Sequence, residues 1–354
     1  MGKLMGIRRR RVLTAGLTSV LGAPFIIKGA RAAQKIVIAT PGGVYDDILR
    51  RSNGDAFTKA TGIEVQTVGT ANAKILAMYQ AGGAPFDVIC MGEGVVVPLD
   101  QFGALAPIKY DTWKFTDKND LPAELRRERR SPTYYFATVS VYNTTKFGKS
   151  GPKSWAEFWD VKAFPGPRTL ADMVTGQPPL EFALIADGVP VDKLYPLDVD
   201  RALRSLTRIR ASVPKFWDSG ALSAQMMSDK EALLGAVWNG RVQIVIEKGA
   251  PLAIEWNQAM THLSCLAVSK TARNPEAAQL YVDFASQPTA QIGFANEFRY
   301  GPVNAKAYDS IDPSLQGVLP GSPRLRDMSF HQNAEWWANN RDRVNKAWSS
   351  WIFG

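Results

Sequence analysis

Few histidines and cysteines are present to bind a metal or to act as a base or nucleophile. The only histidines are His262 and His331, and the only cysteines are Cys90 and Cys265. No histidine pair stands at helical spacing, no cluster of histidine and cysteine occurs, and there is no Gly-x-Ser-x-Gly nucleophile turn. Carboxylate pairs carry little weight among 33 acidic residues. The glycines after the first predicted strand lack the spacing of a dinucleotide loop. The sequence therefore predicts neither a metal nor a cofactor, and it gives no support to catalysis.

Residues suited to ligand binding follow the predicted strands instead. Short apolar strands are predicted at 35–39, 63–68 and 87–91, with helical patterns over 45–61 and 71–80 between them. Carboxyl ends of parallel strands meet at one edge of a sheet, where ligands of open α/β proteins bind. We therefore expect a binding site at the edge made by Thr40 to Tyr45, Thr70-Ala71-Asn72 and Gly92-Glu93, with Thr40, Gly43, Tyr45 and Glu93 as the candidate ligand contacts.

The rest of the chain predicts a second α/β unit. A β-rich run over 131–142 is interpreted as the crossing into it, and the apolar run 260–268 as the return. Between them, strands are predicted at 235–245 and 253–256. A helix is predicted over 274–284, and the aromatic tail, 336–351, is predicted to be helical and to pack on the second unit.

The N-terminal segment predicts export. Arg9-Arg10-Arg11 precedes an apolar run over 12–27 and a small-residue cleavage site at Ala30-Arg31-Ala32. This is the pattern of a twin-arginine signal peptide over 1–32, and the alternative is an uncleaved amphipathic anchor. A periplasmic location follows. In that compartment two buried free thiols are the favoured state of the cysteines, and a single disulfide is the alternative.

Charge excludes two classes of partner. The chain has 42 basic and 33 acidic residues. Seven basic residues and no acidic residue lie in 1–32, so 35 basic residues remain against 33 acidic ones after cleavage. A nearly neutral surface offers no electrostatic footprint for nucleic acid or an anionic membrane.

Several segments, taken in order and spacing, resemble a known family. They are Phe57 to Val65, Phe86-Asp87-Val88, Val141-Tyr142-Asn143, Gly235 to Gly240, Gly249 to Leu252, Leu266 to Lys270, Asn274 to Ala278 and Tyr300 to Asn304. The chain resembles the periplasmic solute-binding proteins of ABC importers, in particular the spermidine/putrescine-binding branch.

The resemblance implies an α/β, two-lobe periplasmic binding protein-like fold of type II, with hinge-connected domains. The first lobe is expected to comprise 33–138 and 263–306, and the second 139–262 and 307–354. The protein is then a monomeric receptor that clamps a small solute between the lobes and delivers it to an inner-membrane ABC permease.

The resemblance also implies site residues. Tyr45, Trp238 and Tyr300 match aromatic ligand contacts of the family, whereas the acids that bind a polyamine are replaced, one of them within His262-Leu263-Ser264. Glu93 or Asp172 could supply a carboxylate, and Arg241 or Arg299 could bind a ligand carboxylate. Thus His262, Ser264, Asp172 and Arg241 join the candidate site, and the ligand is either polyamine-like or a small carboxylated compound.

Two other functions stay open at this stage. One is a periplasmic enzyme with a bound cofactor, which the scarcity of histidine and cysteine disfavours. The other is a ferric-ion carrier of the same fold that uses paired tyrosines, with Tyr134-Tyr135 as the candidate pair. Neighbouring residues of a strand point to opposite faces, which disfavours a shared metal.

Overall fold

The computed structural model describes residues 34–354, so the predicted signal peptide over 1–32 lies outside the described residues. The strands in chain order are β1 (Lys35–Thr40), β2 (Glu64–Gly69), β3 (Val88–Gly92), β4 (Leu105–Ala106), β5 (Ser131–Asn143), β6 (Arg168–Ala171), β7 (Lys215–Trp217), β8 (Leu234–Trp238), β9 (Leu252–Ser269), β10 (Gly301–Pro302) and β11 (Ser329–His331).

The α-helices alternate with these strands along most of the chain. They are α1 (Val44–Leu49), α2 (Asp55–Thr61), α3 (Asn72–Gln80), α4 (Glu93–Gln101), α5 (Thr144–Phe147), α6 (Trp155–Trp159), α7 (Leu180–Ala186), α8 (Val199–Thr207), α9 (Gly220–Ser228), α10 (Asn239–Glu247), α11 (Pro275–Ala285), α12 (Pro288–Phe298), α13 (Pro323–Arg326) and α14 (Ala334–Phe353). A π-helical turn, Arg50–Gly54, joins α1 to α2.

One sheet runs through the molecule in the order β2-β1-β3-β9-β5-β8-β6-β7. At one end β1 pairs in parallel with β2 and β3, as two β-α-β units require. At the other end β6 pairs in parallel with β7 and β8. The long strands β5 and β9 pair antiparallel to each other in the middle, so they join the two parallel ends.

Each end of the sheet has its own apolar core, and these two parts are called the first and second lobes below. In the first lobe α1, α2 and α11 cover one face of β1 and β3, whereas α3 and α4 cover the other. In the second lobe α6, α7, α8 and α14 cover one face, and α9 and α10 the other. Trp337, Val344 and Trp348 of α14 are buried in that second-lobe core, as predicted for the aromatic tail.

Two strand predictions were wrong in their extent. The strand predicted over 235–245 ends at Trp238, and Asn239–Glu247 is helical. Val242 is buried and Val245 and Ile246 pack beside it, so packing selects the helical face of a run in which Val242, Ile244 and Ile246 also alternate as in a strand. The runs at 253–256 and 260–268 belong to one 18-residue strand, β9, which continues past the left-handed Gln258 (φ 59°).

Three smaller expectations were tested by the fold. The helices predicted over 71–80 and 274–284 are confirmed as α3 and α11. Cys90 and Cys265 are buried and not bridged. Within residues 34–354, no helix is both long and apolar enough to cross a membrane.

Candidate functional site

An inner cavity of about 80 Å³ lies between the lobes at the carboxyl ends of the parallel strands. The strand ends after β1 and β3 reach it from the first lobe, and the turns after β6 and β8 from the second. Its walls combine aromatic rings with a few polar groups. The lining residues are Pro41, Tyr45, Asn72, Met91, Gly92, Gly94, Val95, Phe136, Thr175, Gln177, Trp238, Arg241, Ser264 and Tyr300.

A larger outer cavity of about 790 Å³ adjoins the inner one. The two share Pro41, Asn72, Thr175, Trp238 and Arg241 as lining residues. Glycines, small apolar side chains, small hydroxyl side chains and one carboxylate make up the rest, including Gly43, Thr70, Val174, Asp218 and Ser219. A ligand larger than the inner cavity therefore extends into a space that is mainly apolar and contains the Asp218 carboxylate.

Four consecutive residues at the end of β8 build much of the second-lobe wall. The indole nitrogen of Trp238 donates to Gln177 Oε1 at 2.7 Å, which fixes the plane of the ring. The Asn239 side chain accepts from the Ala137 amide at 2.9 Å and donates to the Arg299 carbonyl at 2.7 Å. Gly240 packs directly on Phe298 and Tyr300. Arg241 then enters both cavities.

Aromatic rings form a continuous wall around the inner cavity. Phe136 stacks on Tyr300 with ring centroids 5.4 Å apart, and its ring edge meets Trp238 at 6.1 Å. Tyr45 closes the first-lobe side, where its hydroxyl contacts the Cys90 thiol at 3.2 Å. Such faces suit an alkyl chain or a cationic group.

The strongest unopposed charge in the site is that of Arg241. Its guanidinium lies over the Phe298 ring at 4.9 Å, and its buried Nε has no hydrogen-bond partner among residues 34–354. Burial raises the pKa of Tyr300 to about 12, and the nearby charge of Arg241 opposes that shift. A buried donor without a partner costs free energy, so this group favours an anionic ligand atom.

The candidate residues divide into two groups. Tyr45, Trp238, Arg241, Ser264 and Tyr300 line the inner cavity, and Gly43 lines the outer one. Contact of any of them with a ligand stays a prediction.

The structure places the other four candidates away from both cavities. Thr40 is buried and donates to Asp46, while Asp172 accepts from the Val174 amide at 3.0 Å and caps the following turn. The Glu93 carboxylate lies 3.1 Å from His331 Nε2, on the far side of α4. Both carboxylates thus have partners within the protein, and Arg299 is paired with Glu247 at 2.7 Å.

His262 lies one layer behind the cavity wall. Its ring stacks on Phe136 at 4.8 Å, Nε2 lies 2.9 Å from the Thr138 hydroxyl, and Nδ1 lies 3.2 Å from Gln332 Oε1. Because an amide oxygen only accepts, Nδ1 carries the proton and Nε2 accepts from Thr138. Burial lowers the pKa of His262 to about 3, so the ring is neutral.

Several cavity residues were not among the candidates. Phe136 comes from the middle of the crossing strand, and Gln177 and Asp218 from second-lobe turns after β6 and β7. Asn72 opens α3 and donates to the Thr175 carbonyl at 3.3 Å, across the two lobes. The strand-end rule gives the one sequence signal for these turns, since β6 and β7 are also parallel.

Tyr134 and Tyr135 do not form a pair. Tyr134 is buried on the side of the first-lobe core that α1 and α12 cover. Its ring centroid lies 4.3 Å from that of Phe294. Tyr135 packs against the opposite core. Among the described residues, no group of three histidine, cysteine, aspartate or glutamate side chains is arranged to hold a metal ion.

Replacing Gly240 by alanine is expected to destabilise the protein and deform the cavity. A Cβ there would lie against the Phe298 carbonyl and 2.8 Å from Tyr300 Cε1, so backbone or ring must move. Overpacking of this kind costs about 1–3 kcal/mol in the free energy of unfolding. Denaturant unfolding measures it, with Gly54→Ala as control, since Gly54 is helical with ordinary contacts at 3.6 Å. Equal free energies of unfolding for Gly240→Ala and Gly54→Ala would contradict the close packing described at Gly240.

Comparison with known proteins gives consistent matches. The family model described as bacterial extracellular solute-binding protein matches residues 54–316. The gamma-aminobutyric acid-binding protein of Pseudomonas aeruginosa is 27% identical over 94% of this chain and 95% of its own length. The spermidine/putrescine-binding periplasmic protein of Escherichia coli K12 is 24% identical over 80% and 81%.

Solved structures agree with the sequence matches. AgtB of A. tumefaciens R10, a periplasmic binding protein in complex with agropinic acid, is 30% identical and superposes with a TM-score of 0.80. The match covers 91% of this chain and 99% of AgtB. The two-lobe fold expected from the sequence is thereby confirmed.

Proposed function

The chain belongs to the bacterial extracellular solute-binding protein family, and from this premise we propose that its ligand is a small zwitterionic amino acid. It is a solute-binding receptor of an ABC importer, and its ligands are small organic molecules. Members of this family are transport proteins rather than enzymes, and they work with ABC permeases. The ligand class is the more specific part of the proposal, and it rests on the unopposed guanidinium of Arg241.

The charge pattern of the site supports a zwitterion. Arg241 and Asp218 both line the outer cavity, yet they form no ion pair with each other. Asp218 is exposed to the cleft, and no other ion pair engages it within residues 34–354. A carboxylate on Arg241 and an ammonium near Asp218 would neutralise both groups, with the carbon chain against Trp238.

The names of the relatives include this class and one other. One relative is named for gamma-aminobutyric acid, which carries both charges, and others for polyamines, which carry only positive charge. Among residues 34–354, Asp218 is the one carboxylate that lines the two cavities, so a second ammonium of a polyamine would lack a carboxylate there. Burying an ammonium without a carboxylate costs several kcal/mol.

A matched set of four-carbon compounds tests the proposal. Thermal shift and titration calorimetry compare 4-aminobutanoate with butanoate and 1,4-diaminobutane, followed by amino acids with shorter and longer spacers. We expect the zwitterion class to bind best, and at 100 times its Kd a ligand stabilises the protein by about 2.7 kcal/mol. Stronger binding of the diamine than of every amino acid tested would refute the proposal.

Replacing Asp218 by asparagine is expected to abolish the preference of the protein for a ligand with an amine over its analogue without one. Affinity for the bound amino acid should fall about tenfold, as loss of one partly exposed charge-assisted contact predicts. Affinity for its analogue without the amine should not change. Calorimetry measures both, with Asp229→Asn as control, because Asp229 is exposed at the other end of α9. Equal losses for both ligands would show that Asp218 does not contact the amine.

The proposal also includes an export route and the residue limits of the two lobes. The arginine run and the apolar stretch of 1–32 support a periplasmic protein exported by the twin-arginine route. The separate cores at the two ends of the sheet support two lobes, for which we propose 33–138 with 263–306 and 139–262 with 307–354. Within the last segment, α14 packs in the second-lobe core, whereas Ile311 and Leu319 pack on Ala295 of first-lobe helix α12. We propose that the receptor works as a monomer.

A further inference from the structure

The C-terminal helix α14 belongs to the second lobe but also contacts the first. Its apolar side is buried in the second-lobe core, and the Trp337 indole donates to Glu181 Oε1 of α7 at 2.6 Å. Its other side faces α4 of the first lobe. This helix is therefore packed in the core of one lobe and contacts the surface of the other.

Polar bonds join this second side of α14 to the first lobe. Arg341 Nη2 donates to the Gly94 carbonyl at 2.8 Å, and Asn339 Oδ1 accepts from Gln101 at 2.9 Å. Glu335 accepts from Arg130 at 2.8 Å. Of the three α14 residues, Arg341 has the most enclosed side chain, because Glu335 and Asn339 are largely exposed.

Arg341 also lies directly behind the inner cavity. Gly94 lines that cavity from the first lobe, and Gly176 stands between the lining residues Thr175 and Gln177 of the second. A Cβ on Gly176 would lie 3.4 Å from Arg341 Nη1, which is an ordinary contact distance, so the guanidinium lies against this second-lobe turn. The buried Nε has no partner among residues 34–354, which leaves the Gly94 carbonyl as the hydrogen-bond acceptor.

We propose that Arg341 is a positioning residue that holds the lobes closed by bridging second-lobe helix α14 to the first-lobe carbonyl at the cavity wall. It acts on ligand affinity through closure rather than through contact with the ligand. Opening the cleft separates the guanidinium from Gly94 and exposes both groups to water. A receptor without this bond spends less time closed, and its apparent Kd rises by the same factor as its closed population falls.

The test measures the distance between the lobes directly. Spin labels at Lys59→Cys and Lys193→Cys report it, because both lysines are exposed and lie on different lobes, and the native thiols are buried. Distances are recorded without ligand and with saturating 4-aminobutanoate. We expect Arg341→Met to shift the distribution to longer distances and to weaken binding about tenfold, with Arg341→Lys, which keeps the charge and the stem, in between.

Arg343→Met is the matched control, because Arg343 lies on the same helix and bonds only within it, to Asn340 at 3.2 Å. Unchanged distances for Arg341→Met and Arg341→Lys in both states overturn the proposal. Weaker binding with unchanged distances also overturns it, because Arg341 would then act on the ligand. The proposal rests on the two-lobe receptor function. Failure of 4-aminobutanoate to bind would exclude that compound as the ligand, and the ligand-free distances would still decide whether Arg341 holds the lobes.

Discussion

Replacing Arg241 by glutamine is expected to weaken ligand binding about 100-fold. Among residues 34–354, the guanidinium is the one positive charge that lines both cavities, and a charge-assisted pair with a ligand carboxylate is worth about 2–3 kcal/mol. Arg241→Lys keeps the charge but loses the planar fork, so we expect an intermediate loss. Titration calorimetry with the best amino-acid ligand measures the three affinities.

The control for this experiment is Arg273→Gln. Arg273 is exposed before α11 and lies outside both cavities, so its replacement should leave affinity unchanged. Because Arg241 also stacks on Phe298, the melting temperature of each variant is recorded without ligand. A folded Arg241→Gln protein that binds within threefold of the wild type would show that the ligand carboxylate lies elsewhere.

Acidification from pH 7 to pH 5 is expected to cost the wild-type protein about 2 kcal/mol of unfolding free energy through His262 alone. In the unfolded chain this histidine titrates near its ordinary pKa of 6.5, whereas burial lowers the pKa to about 3 in the folded protein. Below pH 6.5 the unfolded state therefore binds a proton that the folded state does not. The contribution is fully present above pH 6.5 and is lost as the pH falls toward 3.

His262→Gln removes this linkage while an amide can still bond Thr138 and Gln332. Urea unfolding at both pH values should show that the variant loses about 2 kcal/mol less than the wild type on acidification. Glu181 is also buried, with its pKa raised by burial, but it is present in both proteins and cancels in the difference. His331→Gln is the comparison variant: the charge of His331 adds to the lowering of the His262 pKa, but burial is the larger cause, so this variant should change the pH dependence less than His262→Gln does. Equal pH dependence of the His262 variant and the wild type would contradict a buried neutral ring.

Much of the framework follows from local sequence patterns. Alternating apolar residues and glycine stops placed β1, β2, β3, α3 and α11 within a residue or two. These patterns arise from the geometry of single strands and helices, which the chain itself dictates. The apolar run over 239–247 was assigned to a strand because its spacing fits either period, and only packing beside α9 selected the helix.

The candidate site was predictable only in part, because packing between distant segments decides which side chains reach it. Tyr45, Trp238 and Arg241 were found because they follow strand ends or stand in the Trp-Asn-Gly segment. Glu93 follows a strand end as well, but the first turn of α4 directs its carboxylate to Arg130 and His331. Gln177 and Asp218 reach the cleft from turns with no local signature of binding.

The sequence by itself determined the α/β class, the order of most elements, the crossing strands and the lack of an evident metal or nucleophilic motif. Each of these depends on residue types and short spacings, which are encoded along the chain. Only the tertiary structure decided which charges stay unpaired at the cavity. The Glu93–His331 contact joins residues 238 positions apart, whereas Arg241 meets no carboxylate within the described residues. Such pairings depend on how distant segments pack, and that packing leaves a free guanidinium in the cleft.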